Sequence, residues 1–125
     1  MGDVKKPIPV KFFIAVLYEV PEILDQVLPK LEQEFGPIQW ISPTIDFTYT
    51  HYYQKIGEKL KRVFLVFNDL FDPGDLANRK IVTNLLESQT GDEIVERRIN
   101  LDPGYFDGGK IVLATTKNFS HRIYI

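Results

Sequence analysis

Residues 97–125, RRINLDPGYFDGGKIVLATTKNFSHRIYI, gather most of the side chains in this chain that could do chemistry. Two adjacent arginines lead into an Asp-Pro-Gly-Tyr step. A Gly-Gly-Lys step, an Ala-Thr-Thr-Lys tetrad and a His-Arg pair follow. Five Lys/Arg stand here against two Asp, although the whole chain carries a net charge of −2. Cations and hydroxyls grouped in this way suit an anionic ligand held by charge-assisted hydrogen bonds. The expected ligand-binding set is Arg97, Arg98, Tyr105, Lys110, Thr116 and Lys117. If a reaction is catalysed, a hydrolytic or phosphoryl-transfer step with Asp102 or His121 as acid/base fits these groups. The same segment also reads as a turn between strands with solvated charges. Asp accepts turn hydrogen bonds, Pro fixes φ and Gly supplies a positive φ.

Gly104 to Lys110 spells G-x-x-x-x-G-K, the spacing of a phosphate-binding loop. Such a loop needs Ser or Thr next, because that hydroxyl ligates Mg²⁺, and Ile111 stands there instead. It should also open a helix, whereas a β-branched run follows. GTP or ATP binding through this loop is therefore not expected. His51 and His121 are the only histidines and lack any ligand spacing, and there is no cysteine. No metal site and no cofactor are expected.

The sixteen Trp, Tyr and Phe residues, Trp40, Tyr49, Tyr52 and Tyr53 among them, could stack bases if exposed on a sheet. The RNA-recognition consensus is missing and the chain is acidic, so nucleic acid is not the expected partner. A length of 125 residues, 44% hydrophobic and 26% charged, describes one ordinary globular domain spanning 1–125. No run approaches a membrane span, and the absence of cysteine fits a reducing cytoplasm.

The elements that must position these groups follow from apolar spacing. Val10–Tyr18 is nearly continuous apolar, β-branched and aromatic, as in a central strand buried on both faces. Glu22–Phe35 is apolar at helical spacing and ends at Gly36-Pro37, with Pro29 expected to kink or split it. Ile38–Phe47 is a strand interrupted at Pro43. Leu60–Phe67 is a second strongly apolar strand. Asp72-Pro73-Gly74-Asp75 starts a helix, whose expected apolar stripe is Leu76, Ile81, Leu85 and Leu86. Glu93–Leu101 is a strand, Asp102-Pro103-Gly104 a turn, and Lys110–Thr115 is ambiguous between strand and helix with its β-branched residues favouring strand. Arg122–Ile125 begins a further strand.

This order suggests an α+β fold: a ferredoxin-like split βαβ sandwich, mainly antiparallel, with two helices on one face and an extra C-terminal strand segment. Val10–Tyr18 and Leu60–Phe67 should lie side by side at its centre. The C-terminal strand offers an open edge for a homodimer.

The opening KPIPVKFFIAVLY, FGPI at Phe35–Ile38, FTYTHYY, TNLLE at Thr83–Glu87, and RRINLDPGY with KIVLATTK and HRIYI together resemble one family. It is the uncharacterised prokaryotic family known as domain of unknown function 4416. The similarity runs from about Lys6 to the last residue, and the NLDPGY…LATTK pairing is its most specific part. It implies a prokaryotic cytoplasmic protein, and it supplies no activity and no catalytic residues. Relatives continue past the RIYI-like strand, so the resemblance also implies a short or truncated member.

Three functions fit these residues: a small-ligand or anion-binding domain with its site near NLDPGY, an enzyme using Asp102 or His121, or a structural or protein-interaction module. A pocket would favour the first two, and a flat apolar surface the third.

Overall fold

The computed structural model describes residues 8–47, 59–95, 97–115 and 123–124. The elements run β1 (Val10–Tyr18), α1 (Pro21–Phe35), β2 (Ile38–Ile41), β3 (Ile45–Phe47), β4 (Leu60–Phe71), a 3₁₀ turn (Pro73–Asp75), α2 (Leu76–Gln89), β5 (Ile99–Asp107), β6 (Lys110–Thr115) and β7 (Ile123–Tyr124). The strands lie in the order β2-β4-β1-β5-β6-β7, with β3 also on β4. All pairings are antiparallel except β6 with β7. The fold is therefore α+β, with a mostly antiparallel sheet and two helices. The two most apolar runs, β1 and β4, are adjacent interior strands, as expected.

Successive side chains of a strand point to opposite faces. On β1, Phe12, Ile14, Val16 and Tyr18 join Leu24, Val27, Leu31 and Phe35 of α1 and Leu76 and Leu86 of α2 in one core cluster. Both helices thus cover the same face of the sheet. Phe12 sits at its aromatic centre, about 5 Å from the rings of Phe35, Phe67 and Phe71. The Arg79 guanidinium of α2 lies 4.4 Å from the Phe12 ring and 4.2 Å from that of Phe71, so a cation roofs this cluster.

Helix α1 runs unbroken through Pro29, where a kink or split was expected. Proline removes one N–H, which would have bonded the carbonyl of Asp25. Both residues lie on the exposed side of the helix, so that carbonyl is open to solvent. The helix ends at Gly36, with φ +88°. The interruption at Pro43 separates β2 from β3, and Ser42 carries the ladder across it. The Ser42 N–H donates to the Phe64 carbonyl at 2.9 Å, and its Oγ accepts from the Phe64 N–H at 2.8 Å.

Helix α2 starts as its sequence indicates. The Asp72 carboxylate accepts from the Gly74 N–H at 2.8 Å, and Pro73 occupies the first position of the turn. Its expected stripe is corrected, however. Ile81 and Leu85 are 66% and 59% exposed, and the buried face is Leu76, Lys80, Thr83, Leu86 and Glu87. The helix is turned so that polar side chains reach the edge of β5, for a reason that lies in that strand.

Two more expectations are corrected there. Residues 93–95 and 97–98 are not a strand: the Asp92 carboxylate accepts from the N–H groups of Ile94 and Val95 and curls the chain into a turn. Asp102-Pro103-Gly104 is not a turn but the middle of β5. Pairing of β5 with β6 begins only at Gly104, so the outer edge of residues 99–103 has no partner strand among the described residues. The Leu101 N–H points outward there to Glu87, and by alternation Pro103 turns its missing donor to the same edge. A proline at this place costs the ladder nothing.

Candidate functional site

The face of the sheet opposite the helices carries Phe13, Ala15 and Leu17 of β1, with Arg62, Phe64 and Val66 of β4 on one side. On the other side stand Asn100, Asp102, Gly104 and Phe106 of β5, then Ile111 and Leu113 of β6. No helix among the described residues lies over it. A groove of about 370 Å³ opens on this face, lined by Phe13, Ala15, Trp40, Arg62, Phe64, Phe106, Ile111 and Leu113.

Alternation in five strands builds this groove. The small Ala15 sits centrally, between Phe64 on one neighbour and Asp102 on the other. Phe13 lies against Phe106, ring centroids 4.9 Å apart, and its ring also covers Gly104. Only a glycine leaves room at position 104, since a Cβ there would overlap the Val112 carbonyl oxygen and the Phe13 ring. Trp40 and Ile111 remain 53% and 63% exposed. Among the described residues Arg62 is the one charged lining residue. Its guanidinium carbon lies 5.1 Å from the Phe47 ring centroid and 5.7 Å from that of Phe64. Stacking of this kind engages the faces of the guanidinium plane.

Beside the groove, at the open edge of β5, a polar network closes around Leu101. Glu87 accepts from the Leu101 N–H at 3.1 Å and from Arg97 at 2.8 Å. Arg97 also donates to the Asn100 side-chain oxygen at 3.0 Å, and Asn100 donates to Asp102 at 2.9 Å. Lys80 reaches Asp102 at 3.5 Å and the Leu101 carbonyl at 3.4 Å. Two cations and two carboxylates balance, so the network holds α2 on the strand edge without a net charge.

The sequence-derived site residues are distributed as follows. Arg97 and Asp102 come together, through Asn100, in this network. Arg98 is turned away to Asp92, at 2.6 Å. Tyr105 lies on the helix face, half-buried, its ring 6.1 Å from that of Phe71. Lys110 is exposed at the start of β6. Thr116, Lys117 and His121 lie outside the described residues, as do Tyr49, His51, Tyr52 and Tyr53. Gly104–Lys110 is the end of a strand and a two-residue hairpin turn, with no helix after it. Gly108 has φ +58°, as the first turn residue of a II′ hairpin requires. Among the described residues no cluster of His, Asp and Glu could hold a metal. Among the described residues no helix is long and apolar enough to cross a membrane.

The groove residues other than Trp40 escaped the sequence reading. A signal for them exists: β1 is apolar on both faces and Phe64 and Val66 follow suit on β4, whereas two helices cover only one face.

Two carboxylates titrate away from their ordinary values, in opposite directions. Burial pushes Glu87 above its ordinary 4.5, partly offset by the Leu101 N–H and Arg97. The N–H groups of Val95 and Ile94 and the Arg98 side chain bring Asp92 down to about 2. Folding therefore gains from Glu87 as pH falls through its raised value towards 4.5. It loses the Asp92 contribution as pH falls from 3.8 to about 2. Carboxyl-carbon NMR titration is expected to give Glu87 a midpoint above 4.5 and Asp92 one near 2. A Glu87 midpoint below its ordinary value would mean that the network outweighs burial.

The fold and site define an α+β protein with helices on one sheet face and an apolar groove on the other. The chain belongs to the DUF4416 family, a domain of unknown function, whose profile matches residues 8–125. No curated protein and no solved structure matches it.

Proposed function

We propose that this chain is a single ferredoxin-like domain that binds a small, largely apolar molecule on its open sheet face. The ferredoxin-like assignment is supported by the antiparallel order β2-β4-β1-β5, with α1 following the first of these strands in sequence and α2 following β4. The groove carries the functional reading. Its 370 Å³ falls at the low end of the range for small-molecule sites, and its lining is aromatic and aliphatic with one polar group. A flat apolar face would favour a protein partner, whereas this surface is concave. Its position over Gly104 keeps the site beside the NLDPGY segment.

Trp40 lines the groove and is the only tryptophan. Its single indole N–H cross-peak therefore reports occupancy directly. Titration with one- and two-ring aromatic molecules is expected to shift that peak saturably. Ile111→Glu, at an exposed lining position, is expected to weaken binding about tenfold by setting a charge against apolar ligand surface. No shift across the panel, or a shift indifferent to Ile111→Glu, would remove the groove from consideration.

A further inference from the structure

We infer that the outward face of α2 is a homodimer interface, on which a second copy of this chain lays its own α2 antiparallel about a two-fold axis at Ile81. The inference is independent of the groove, which lies on the other face of the sheet. A surface helix ordinarily keeps its charges in water and its apolar side chains inside. Helix α2 does the reverse. Its three charged residues all turn inward: Arg79 roofs the aromatic cluster, and Lys80 and Glu87 reach β5. Its exposed residues are Asn78, Ile81, Asn84, Leu85, Ser88 and Gln89, and none carries a charge. Helix α1, over the same face of the sheet, is the contrast, for it exposes Glu22, Asp25, Lys30, Glu32 and Glu34. The polar groups outside α2 also ask little of water. Ser88 Oγ donates to the Leu85 carbonyl at 2.7 Å, and the Asn78 amide donates to Asp75 at 2.9 Å. Covering this face therefore strands no ion and few donors.

The order of the residues selects a second copy over an unlike partner. In a two-fold contact each pairing occurs twice, i on j and j on i. Antiparallel helices that cross at Ile81 bring together positions equally far before and after it. Ile81 then meets the partner's Ile81, Asn78 meets the partner's Asn84, and Ala77 meets the partner's Leu85. Positions three and four apart share one helix face, so all five lie on it. The partner's Asn84 is placed to donate to the Asn78 amide oxygen, and the small Ala77 makes room for the larger leucine. A face that meets water or an unlike protein has no need of this palindrome. Length sets the strength. The 14 residues of α2 span about 21 Å, so one helix face per subunit falls at the low end of stable interfaces and gives a dissociating dimer.

The experiment is sedimentation equilibrium of the full chain from micromolar to submillimolar concentration. A reversible monomer–dimer equilibrium is expected. Ile81→Glu is expected to weaken it about a hundredfold or more, because the two-fold axis sets two like charges against each other. Ile81 is 66% exposed, so this variant keeps its fold, which circular dichroism checks. The chain has no cysteine, so Ile81→Cys supplies a single thiol. Mild oxidation is expected to join it to its copy much faster than Lys30→Cys on the exposed side of α1. A chain that stays monomeric throughout the range would overturn the inference. So would equal oxidation rates at the two positions. A dimer indifferent to Ile81→Glu would overturn it as well, since its contact would then lie elsewhere, on the C-terminal strand edge or the open sheet face.

Discussion

Gly104→Ala is expected to destabilise the protein by about 3 kcal/mol or more, although the residue sits in a strand where alanine is ordinarily the better choice. At a site without steric conflict, glycine to alanine stabilises by roughly 0.4–1 kcal/mol by restricting the unfolded chain. Here a Cβ would overlap the backbone oxygen of Val112 on β6. It would also stand 2.7 and 2.9 Å from two ring atoms of Phe13. The Phe13 ring cannot simply turn aside, because Phe13 is buried and its ring packs on Phe106. The backbone oxygen can retreat only if β6 moves away from β5. Urea unfolding should therefore show a much lower midpoint, and the Phe106 and Ile111 signals should shift, since both flank the same groove wall. A variant as stable as the native chain would mean that β6 does not pack at Gly104 as described.

Gly104 also shows why part of the fold was legible and part was not. Asp-Pro-Gly is a strong local turn signal, because each residue favours a bend in isolation. In β5 each of the three has a tertiary reason instead. Asp102 joins the Asn100 and Lys80 network, Pro103 faces an edge that needs no donor, and Gly104 lets Phe13 and β6 close in. None of those neighbours is near in sequence. The central strands were legible for the opposite reason: β1 and β4 are long apolar runs, and their burial follows from composition alone. Helix α2 lies between these cases. Its start at Asp72-Pro73 is local chemistry and was readable. Its buried face was not, because Lys80 and Glu87 are buried by what they bond on β5, and hydrophobicity pointed to Ile81 and Leu85 instead.

The groove follows the same logic. Anionic recognition was expected of the cation-rich segment 97–125, where charge density is highest. Arg97 and Arg98 hold Glu87 and Asp92, so these two of the segment's five cations serve intramolecular pairs. Among the described residues the one arginine lining the apolar groove is Arg62, in an apolar strand, where Lys61 and Arg62 in LKRVFLVF draw no attention. Its place in the groove depends on which face of β4 it takes, and therefore on the register with β1 and β3.

Glu87→Ala is expected to cost about 3–4 kcal/mol, a large fraction of the stability of a domain this size. The carboxylate is nearly buried and serves two donors, the Leu101 N–H at 3.1 Å and Arg97 at 2.8 Å. Removing it leaves the Leu101 donor buried at the open edge of β5, which alone costs about 1–3 kcal/mol. Arg97 is partly exposed and recovers some water, so its share is the smaller one. Lys80 and Asp102 remain paired, and α2 stays attached through Lys80, Leu76 and Leu86. The loss is therefore local as well as global. Amide exchange at Leu101 should accelerate far more than at Leu65, whose strand β4 is paired on both sides. Glu87→Gln keeps one acceptor and presents an N–H₂ group to the other donor, so it should fall between the two. Slow exchange at Leu101 in the alanine variant would show that the strand edge is protected by something other than Glu87, and the docking of α2 by its polar face would lose its explanation.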